Sequence, residues 1–181
     1  TMAVEGTRIA APTEKKHEWT SKERHEQQVV TDFIQHQMQS MDLRPEAGPV
    51  QNIRAGKLWH LGTTIKTSLP ADKAATLLRN LHPTPAVCGI PREKASSFIR
   101  ENENYNREYY TGYLGEVGLD QPDGFEVFVN LRCMQVRNGR AFIYVGGGIT
   151  ADSIAEAEWE ETQQKSTTML SLLENSWKAI G

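Results

Sequence analysis

Apolar side chains recur at three- and four-residue spacing through Val29, Val30, Phe33, Ile34, Met38 and Met41. Thr20 and Glu23 stand ahead of them at the spacing of a capping box, and together they predict a helix of about five turns. Glu26 falls in register with Val30 and Phe33, so its carboxylate is expected on or beside the buried stripe, where a charge without a cation or donors is costly. An acid favoured by the dipole in a first helical turn explains it equally well. Residues 57–67 (K-L-W-H-L-G-T-T-I-K-T) have the β-branched and aromatic content of a strand, and His60 lies inside it. A lone histidine between Trp59 and Leu61 reads first as a satisfied core residue. Residues 44–56, with proline and glycine, predict a connection. Helices are expected at 70–81, with Ala74, Leu77, Leu78 and Leu81 inward, and at 91–103, where a proline suits the first turn. The prolines and glycine of the intervening H-P-T-P-A-V-C-G-I-P-R (82–92) forbid regular structure through most of it, and its apolar content predicts a crossing of the core. The first seven residues read as the tail of a strand entering a turn.

Alternation resumes downstream. Residues 112–118 and 125–136 predict strands, the second with Phe125, Val127, Val129, Leu131 and Cys133 on one face and Glu126, Asn130 and Arg132 on the other. Asn138-Gly139 is the preferred pair for a two-residue type I′ hairpin. That turn sets Arg137 opposite Arg140 and, counting back, Arg132 opposite Val145. A strand at 141–145 then runs into Gly146, Gly147 and Gly148, followed by a helix opened by Ser153 with Glu156 three residues on and docked through Met169, Leu170, Leu173 and Trp177. Glu158, Glu161 and Lys165 share one face of that helix. A guanidinium beside open backbone amides forms a carboxylate-binding corner, and the two carboxylates could hold a metal. The plain alternatives are a turn or bulge at the glycines and a surface ion pair worth about 0.3–0.5 kcal/mol.

Composition narrows the classes. At 181 residues the chain has the length of one domain, and 38% apolar with 24% charged residues describes a globular protein. A net charge of -3 argues against nucleic acid and anionic membrane as partners. Cys88 and Cys133 stand far apart in no metal-ligand spacing, which predicts reduced, buried thiols and a cytoplasmic protein. No apolar stretch reaches the length of a membrane span. Because the chain begins at Thr1, it is expected to be a trimmed or excised piece of something longer.

Several segments in one order resemble the chorismate-utilising enzymes, and within them the isochorismate synthases: R-H-E-Q-Q-V-V (24–30), L-W-H-L (58–61), L-H-P-T-P-A-V-C-G-I-P-R (81–92), N-R-E-Y-Y-T-G-Y-L-G (106–115), L-R-C (131–133), G-G-G-I (146–149) and E-W-E-E-T-Q-Q-K (158–165). The resemblance covers nearly the whole chain. It implies an α+β fold, antiparallel β-sheet layered with α-helices as in the anthranilate-synthase-like fold, with residues 1–181 forming the C-terminal part of a single chorismate-binding catalytic domain. It also implies a Mg²⁺-dependent isomerase that adds water at ring carbon 2 of chorismate and expels the hydroxyl from carbon 4, for menaquinone or siderophore biosynthesis. By that likeness Glu26 and Glu161 are the magnesium ligands, with Glu158 acting from behind them. Arg132, Lys165 and the backbone at Gly146 and Gly147 bind the enolpyruvyl carboxylate. Gly6 and Thr7 match a substrate-contacting pair, and His60 matches a histidine lining the ring pocket.

Ala86 separates the subclasses. Relatives that use ammonia, making anthranilate or aminodeoxychorismate, carry a hydroxyl residue there, whereas the water-using enzymes resemble this chain in having alanine. The family's general-base lysine and general-acid glutamate belong to a segment preceding Thr1, so the chain alone is expected to be inactive, with uncovered apolar faces that favour self-association. The glycine run reads G-G-G where relatives often have G-A-G, which only removes a methyl group. The alternatives are an ammonia-using chorismate enzyme, which Ala86 disfavours, and a truncated, non-catalytic chorismate-binding protein.

Overall fold

A computed structural model describes residues 1–9, 17–55, 58–118 and 124–178, with backbone alone at 5, 7–9, 55 and 174–178. The fold is α+β, helices with antiparallel sheets, and divides into two compact units, residues 1–102 and 103–181.

The first unit is built on one strand. In chain order it comprises β1 (Met2–Ile9), α1 (Ser21–Gln39), β2 (Glu46–Ala47), β3 (Gln51–Ala55), β4 (Leu58–Lys66), α2 (Ala74–Leu81), α3 (Pro85–Cys88) and α4 (Arg92–Asn102). β4 pairs antiparallel with β1, β2 and β3. Residues 44–56 therefore hold two strands where a connection was expected. Gly48 and Pro49 supply the turn, but the polar sequence of β3 carries no apolar alternation, so its pairing is dictated by β4 rather than by its own pattern. The β1 strand likewise continues to Ile9 beyond the expected turn.

Helix α1 begins as its capping box requires: the Glu23 amide donates to Thr20 Oγ1 at 3.3 Å, and the Thr20 amide to Glu23 Oε2 at 2.9 Å. Val30, Ile34 and Met38 join Ala3, Leu43, Ile65 and Leu77 in the core. Gln27 and Thr31 lie on the same buried stripe. The Gln27 amide nitrogen donates to Thr63 Oγ1 at 2.8 Å and to Thr31 Oγ1 at 2.9 Å, so a polar link joins helix to strand inside the apolar layer.

The 82–92 segment does not cross the core. It forms the single turn α3, with Pro85 at the first helical position, and Ala86 and Ile90 are exposed. Arg92 holds it from below, donating to the Asn80 carbonyl at 2.9 Å and the His82 carbonyl at 3.0 Å. Three prolines remove backbone donors, which a guanidinium and the surface replace more readily than a core would.

The second unit comprises β5 (Tyr113–Val117), β6 (Phe125–Val129), β7 (Cys133–Arg137), β8 (Arg140–Tyr144) and α5 (Ala155–Lys178). The expected strand at 125–136 is two strands: β6 pairs with β5, β7 with β8. The break lies at Asn130, whose amide donates to the Gly112 carbonyl and whose side chain donates to the Tyr109 carbonyl at 2.9 Å, and at Arg132, with φ of 49°. Alternation cannot pass through such a break, so the five apolar residues of 125–133 do not form one face. Phe125, Val129 and Leu131 are exposed, as are Leu114, Val117 and Phe128. On α5, Met169 and Leu173 are half-buried and Leu170 is exposed, while the Trp177 side chain lies outside the described residues. Cys88 and Cys133 are both free thiols and half-buried. Among the described residues no helix is long and apolar enough to cross a membrane.

Candidate functional site

In the first unit the residues singled out by sequence fall on three elements. Glu26, on α1, lies at the margin of the buried stripe with its side chain 24% exposed and Oε1 3.7 Å from Lys22 Nζ. Ala86 stands exposed on α3. His60, in the middle of β4, is buried, and its Nδ1 lies 2.8 Å from the Gly6 carbonyl oxygen. Gly6 occupies the bulge at which the β1 register shifts between Glu5 and Arg8. The structure thus joins two of the predicted residues, Gly6 and His60, by a direct hydrogen bond. The Thr7 side chain lies outside the described residues.

In the second unit the hairpin register runs from Arg137 opposite Arg140 to Cys133 opposite Tyr144, as the type I′ turn requires, with both Asn138 and Gly139 at positive φ. Arg132 comes next, one residue beyond the ladder. Burial holds its guanidinium below the ordinary arginine range, and the nearby Glu161 carboxylate acts in the opposite sense. Lys165 Nζ lies 2.6 Å from Glu161 Oε1 and donates to the Gly146 carbonyl at 3.0 Å. The lysine therefore ties the helix to the first glycine of the run. Arg132, Glu161, Lys165 and Gly146 form one constellation, in which the guanidinium and the ammonium both lie near the Glu161 carboxylate.

Glu158, one turn before Glu161, is buried and accepts from Ser153 Oγ at 2.6 Å. Ser153 thus serves Glu158, and its hydroxyl accepts from the Thr150 amide at 3.0 Å; the helix starts at Ala155, one residue later than a Ser153 cap with Glu156 implies. A Cβ on Gly147 would lie 3.4 Å from Glu158 Oε2, ordinary contact, so an alanine fits this place.

Sequence reading missed Tyr110. Its ring is 7% exposed, stacks on Tyr144 at 5.5 Å and lies under the Arg107 guanidinium at 5.6 Å, while its hydroxyl reaches Gly146. Burial, with Tyr105 nearby, pushes the phenol up to about 12. Arg107 is itself held by both oxygens of Glu103 and donates to Thr111 Oγ1 at 3.2 Å. Thr111 stands at φ 63°, a left-handed conformation that a β-branched residue adopts only under constraint. The signal available in the sequence was the unbroken N-R-E-Y-Y-T-G, a polar and aromatic run without periodicity.

Among the described residues no three His, Cys, Asp or Glu side chains lie together as a metal cluster. Magnesium does not demand one, because it keeps several waters and is commonly held by one or two carboxylates together with substrate oxygens. The carboxylates of Glu26 and Glu161 are donors of that hard-oxygen type, and Glu158, oriented by Ser153, stands one turn from Glu161. The donor chemistry fits the ion.

Residues 14–174 match the family model described as chorismate binding enzyme. The chain is 34% identical to the isochorismate synthase EntC of Escherichia coli (strain K12) over 156 residues, 84% of this chain and 39% of that protein. It is 35% identical to the isochorismate synthase DhbC of Bacillus subtilis (strain 168) over 159 residues, 83% of this chain and 38% of that protein. The solved structure of MenF, the menaquinone-specific isochorismate synthase of Escherichia coli, superposes with a TM-score of 0.83 at 32% identity, covering 96% of this chain and 41% of that one. The chain thus spans about two fifths of the length of these relatives. A match that takes in both units and nearly every motif of the sequence makes this chain a member of the chorismate-binding enzyme family.

Proposed function

We propose that this chain is part of a cytoplasmic isochorismate synthase that binds chorismate and serves its conversion to isochorismate, for menaquinone or siderophore biosynthesis. The observation that carries the reading is the corner at Gly146, where Lys165 and the half-buried Arg132 bring two cations to one carboxylate. An anionic group entering there meets a guanidinium already stripped of part of its water, so the enolpyruvyl carboxylate is the natural occupant. Glu26 and Glu161 are proposed to hold Mg²⁺, with Glu158 behind them, and the bound ion would supply charge neutralisation at the ring carboxylate. Gly6, Thr7 and His60 are proposed to face the ring.

In the reaction, water adds at ring carbon 2, the ring double bonds shift, and the hydroxyl leaves carbon 4. The water needs a base and the departing hydroxyl an acid, each contributing typically ~10²–10⁴-fold. Lys165 is committed to Glu161 and to the Gly146 carbonyl, and is poorly placed to be that base. A lysine and a glutamate preceding Thr1 are proposed for the two roles. Ala86 offers no hydroxyl to the nucleophile, which favours water over ammonia.

The test is product analysis of the whole gene product with chorismate, Mg²⁺ and an ammonium salt. Isochorismate is the expected product, and an aminated ring compound as the main species refutes the assignment. The 181-residue chain tested beside it should show no enzymatic turnover, and light scattering should show it self-associated. Comparable turnover from the two places the acid and base within this chain instead.

A further inference from the structure

Residues 103–112 lead into β5 without helix or strand of their own, so turns and side-chain contacts set their path. Glu103 and Arg107 supply a charged contact. Arg107 Nε donates to Glu103 Oε2 at 2.6 Å and Nη2 donates to Oε1, the two-pronged geometry that a guanidinium and a carboxylate share. Those bonds hold the Glu103 carboxyl below the ordinary carboxylate range, so the pair stays ionised. Nη1 donates to Thr111 Oγ1 at 3.2 Å, and that hydroxyl donates in turn to the Tyr110 carbonyl at 2.6 Å. The Tyr110 amide donates back to the Arg107 carbonyl at 2.8 Å, and the guanidinium stands 5.6 Å from the centre of the Tyr110 ring. Arg107 therefore meets Tyr110 at its backbone, through the Thr111 hydroxyl and at its ring.

The ring stack returns to the same turn. Tyr110 stacks on Tyr144 with ring centres 5.5 Å apart, the Tyr144 hydroxyl donates to Gln135 Oε1 at 3.3 Å, and Gln135 Nε2 donates to Glu108 Oε2 at 2.6 Å. Glu108 follows Arg107 directly and stands at φ 47°, with Thr111 at 63°. Left-handed residues of these types are costly, and the closed circuit of Arg107, Tyr110, Tyr144, Gln135 and Glu108 offsets that cost. The circuit ends on the glycine run. The Tyr110 hydroxyl lies 2.7 Å from the point where a Gly146 Cβ would stand, and the Gly146 carbonyl accepts from Lys165 Nζ at 3.0 Å. A phenol and an ammonium together limit how a peptide of high intrinsic freedom can turn.

We propose that Arg107, braced by Glu103, is a positioning residue for the carboxylate-binding corner: it holds the Tyr110 hydroxyl against Gly146, which keeps the glycine run in the shape that receives the enolpyruvyl carboxylate. The effect on the carboxylate rests on the chorismate-binding reading given above; the hold on Tyr110 does not. A guanidinium that positions the ring and one that acts only through its charge differ in sign at the phenol. Burial, the largest cause, together with Tyr105, Cys133 and Glu103 raises the Tyr110 phenol to about 12, whereas the Arg107 charge lowers it. Removing the charge alone moves the phenol further up, while releasing the ring into water moves it down.

The first test needs no ligand. Phenolate absorbance of the whole gene product is followed after rapid pH jumps, and the Tyr110 step is the one missing from Tyr110→Phe. Arg107→Gln should bring that step down from about 12 toward 10.0. A step that stays in place or moves up overturns the hold on Tyr110. Arg107→Lys, which keeps the charge but cannot form the fork, should shift it in the same direction by less, and it decides the matter if the glutamine variant does not fold.

Isothermal titration with chorismate and Mg²⁺ then reads the corner. Either Arg107 substitution should weaken binding roughly threefold to thirtyfold, as residues do that modulate a site without touching its ligand. KM should rise in step while kcat holds within about twofold. In a Tyr110→Phe background, where no hydroxyl remains to be placed, the same substitution should cost less than about twofold. Equal losses in the two backgrounds, or unchanged affinity in the first, overturn the positioning role. Absence of any chorismate binding by the wild-type protein overturns the proposed function instead, while the phenol titration still decides the hold on Tyr110.

Discussion

The hydroxyl of Tyr110 occupies the space that a side chain on Gly146 would need: a Cβ there would lie 2.7 Å from the oxygen. A tyrosine hydroxyl at the end of a free side chain would swing aside, but this ring is stacked on Tyr144 and covered by Arg107. Gly146→Ala should therefore displace Tyr110 or the glycine run and cost about 1–3 kcal/mol, the usual range for overpacking. Urea denaturation followed by Tyr fluorescence measures it. Gly147→Ala, with 3.4 Å of clearance, should leave stability within experimental error.

Lys165 links the last helix to the glycine run through the Gly146 carbonyl and carries the charge opposite Glu161. Lys165→Met keeps most of the aliphatic stem but removes both contacts. Hydrogen bonds to charged groups are worth about 1.5–3 kcal/mol, so chorismate affinity of the whole gene product should fall roughly tenfold to a hundredfold. Isothermal titration with Mg²⁺ present reads the change, and an unaltered affinity removes Lys165 from the carboxylate-binding corner.

Thr111 holds its left-handed φ because its amide donates to the Asn130 carbonyl at 2.9 Å and its hydroxyl serves Tyr110 and Arg107. Asparagine tolerates that conformation better than a β-branched residue while retaining a polar side chain. Thr111→Asn should raise the urea midpoint, and Thr111→Val, which keeps the strain and loses the hydroxyl, should lower it. A midpoint lowered in both variants would mean that the hydroxyl bonds outweigh the backbone strain.

The phenol of Tyr110 gives a pH signature. Its value rises from 10.0 to about 12, with burial the main cause, so between those values the unfolded chain has lost a proton that the folded chain keeps. Stability falls with pH wherever the folded state binds more protons, so the contribution is fully present below pH 10 and is lost as pH climbs toward 12. Tyr110→Phe should flatten the stability curve through that window. Ultraviolet titration of phenolate absorbance should show one tyrosine ionising late in the wild type.

Gln27 and Thr63 offer a thermodynamic cycle. Thr63→Val alone leaves a buried amide hydrogen without its acceptor and should cost about 1–3 kcal/mol. Gln27→Leu combined with Thr63→Val should recover much of that loss, since both residues are buried on the elements that supply Val30, Ile34 and Ile65 to the apolar core. A double variant whose loss equals the sum of the two single losses would show that the two side chains do not interact.

The elements that sequence made legible are those whose cause is local. Thr20 and Glu23 mark the start of α1 because the capping box is closed by residues three apart, and Asn138-Gly139 fixes the β7–β8 register because only that turn needs two positive φ angles. The break at residues 130–132 was invisible, since it depends on Asn130 reaching back to Gly112 and Tyr109. β3 was invisible for a similar reason, being a polar edge strand that exists because β4 offers it a partner. In the site, the helical spacing of Glu161 and Lys165 anticipated their ion pair, and the hairpin count anticipated the register as far as Cys133 opposite Tyr144, but the next expected pair, Arg132 opposite Val145, lies outside the ladder because Arg132 turns to positive φ. Tyr110 escaped because its contact with Gly146 is made across a turn whose geometry rests on strain at Thr111.

The place of His60 on β4 also sets a timescale. With β1 and β3 paired along both edges, the backbone amides around His60 are shielded from either side, and fraying of one edge strand leaves the other in place. Amide hydrogens of Leu58–Lys66 should therefore be among the last to exchange with deuterated water in this unit, well after those of the single-turn helix that carries Ala86. On that expectation the imidazole is mounted on a segment that opens late, whereas the alanine rides on a single turn that opens sooner, so the two positions would keep time differently.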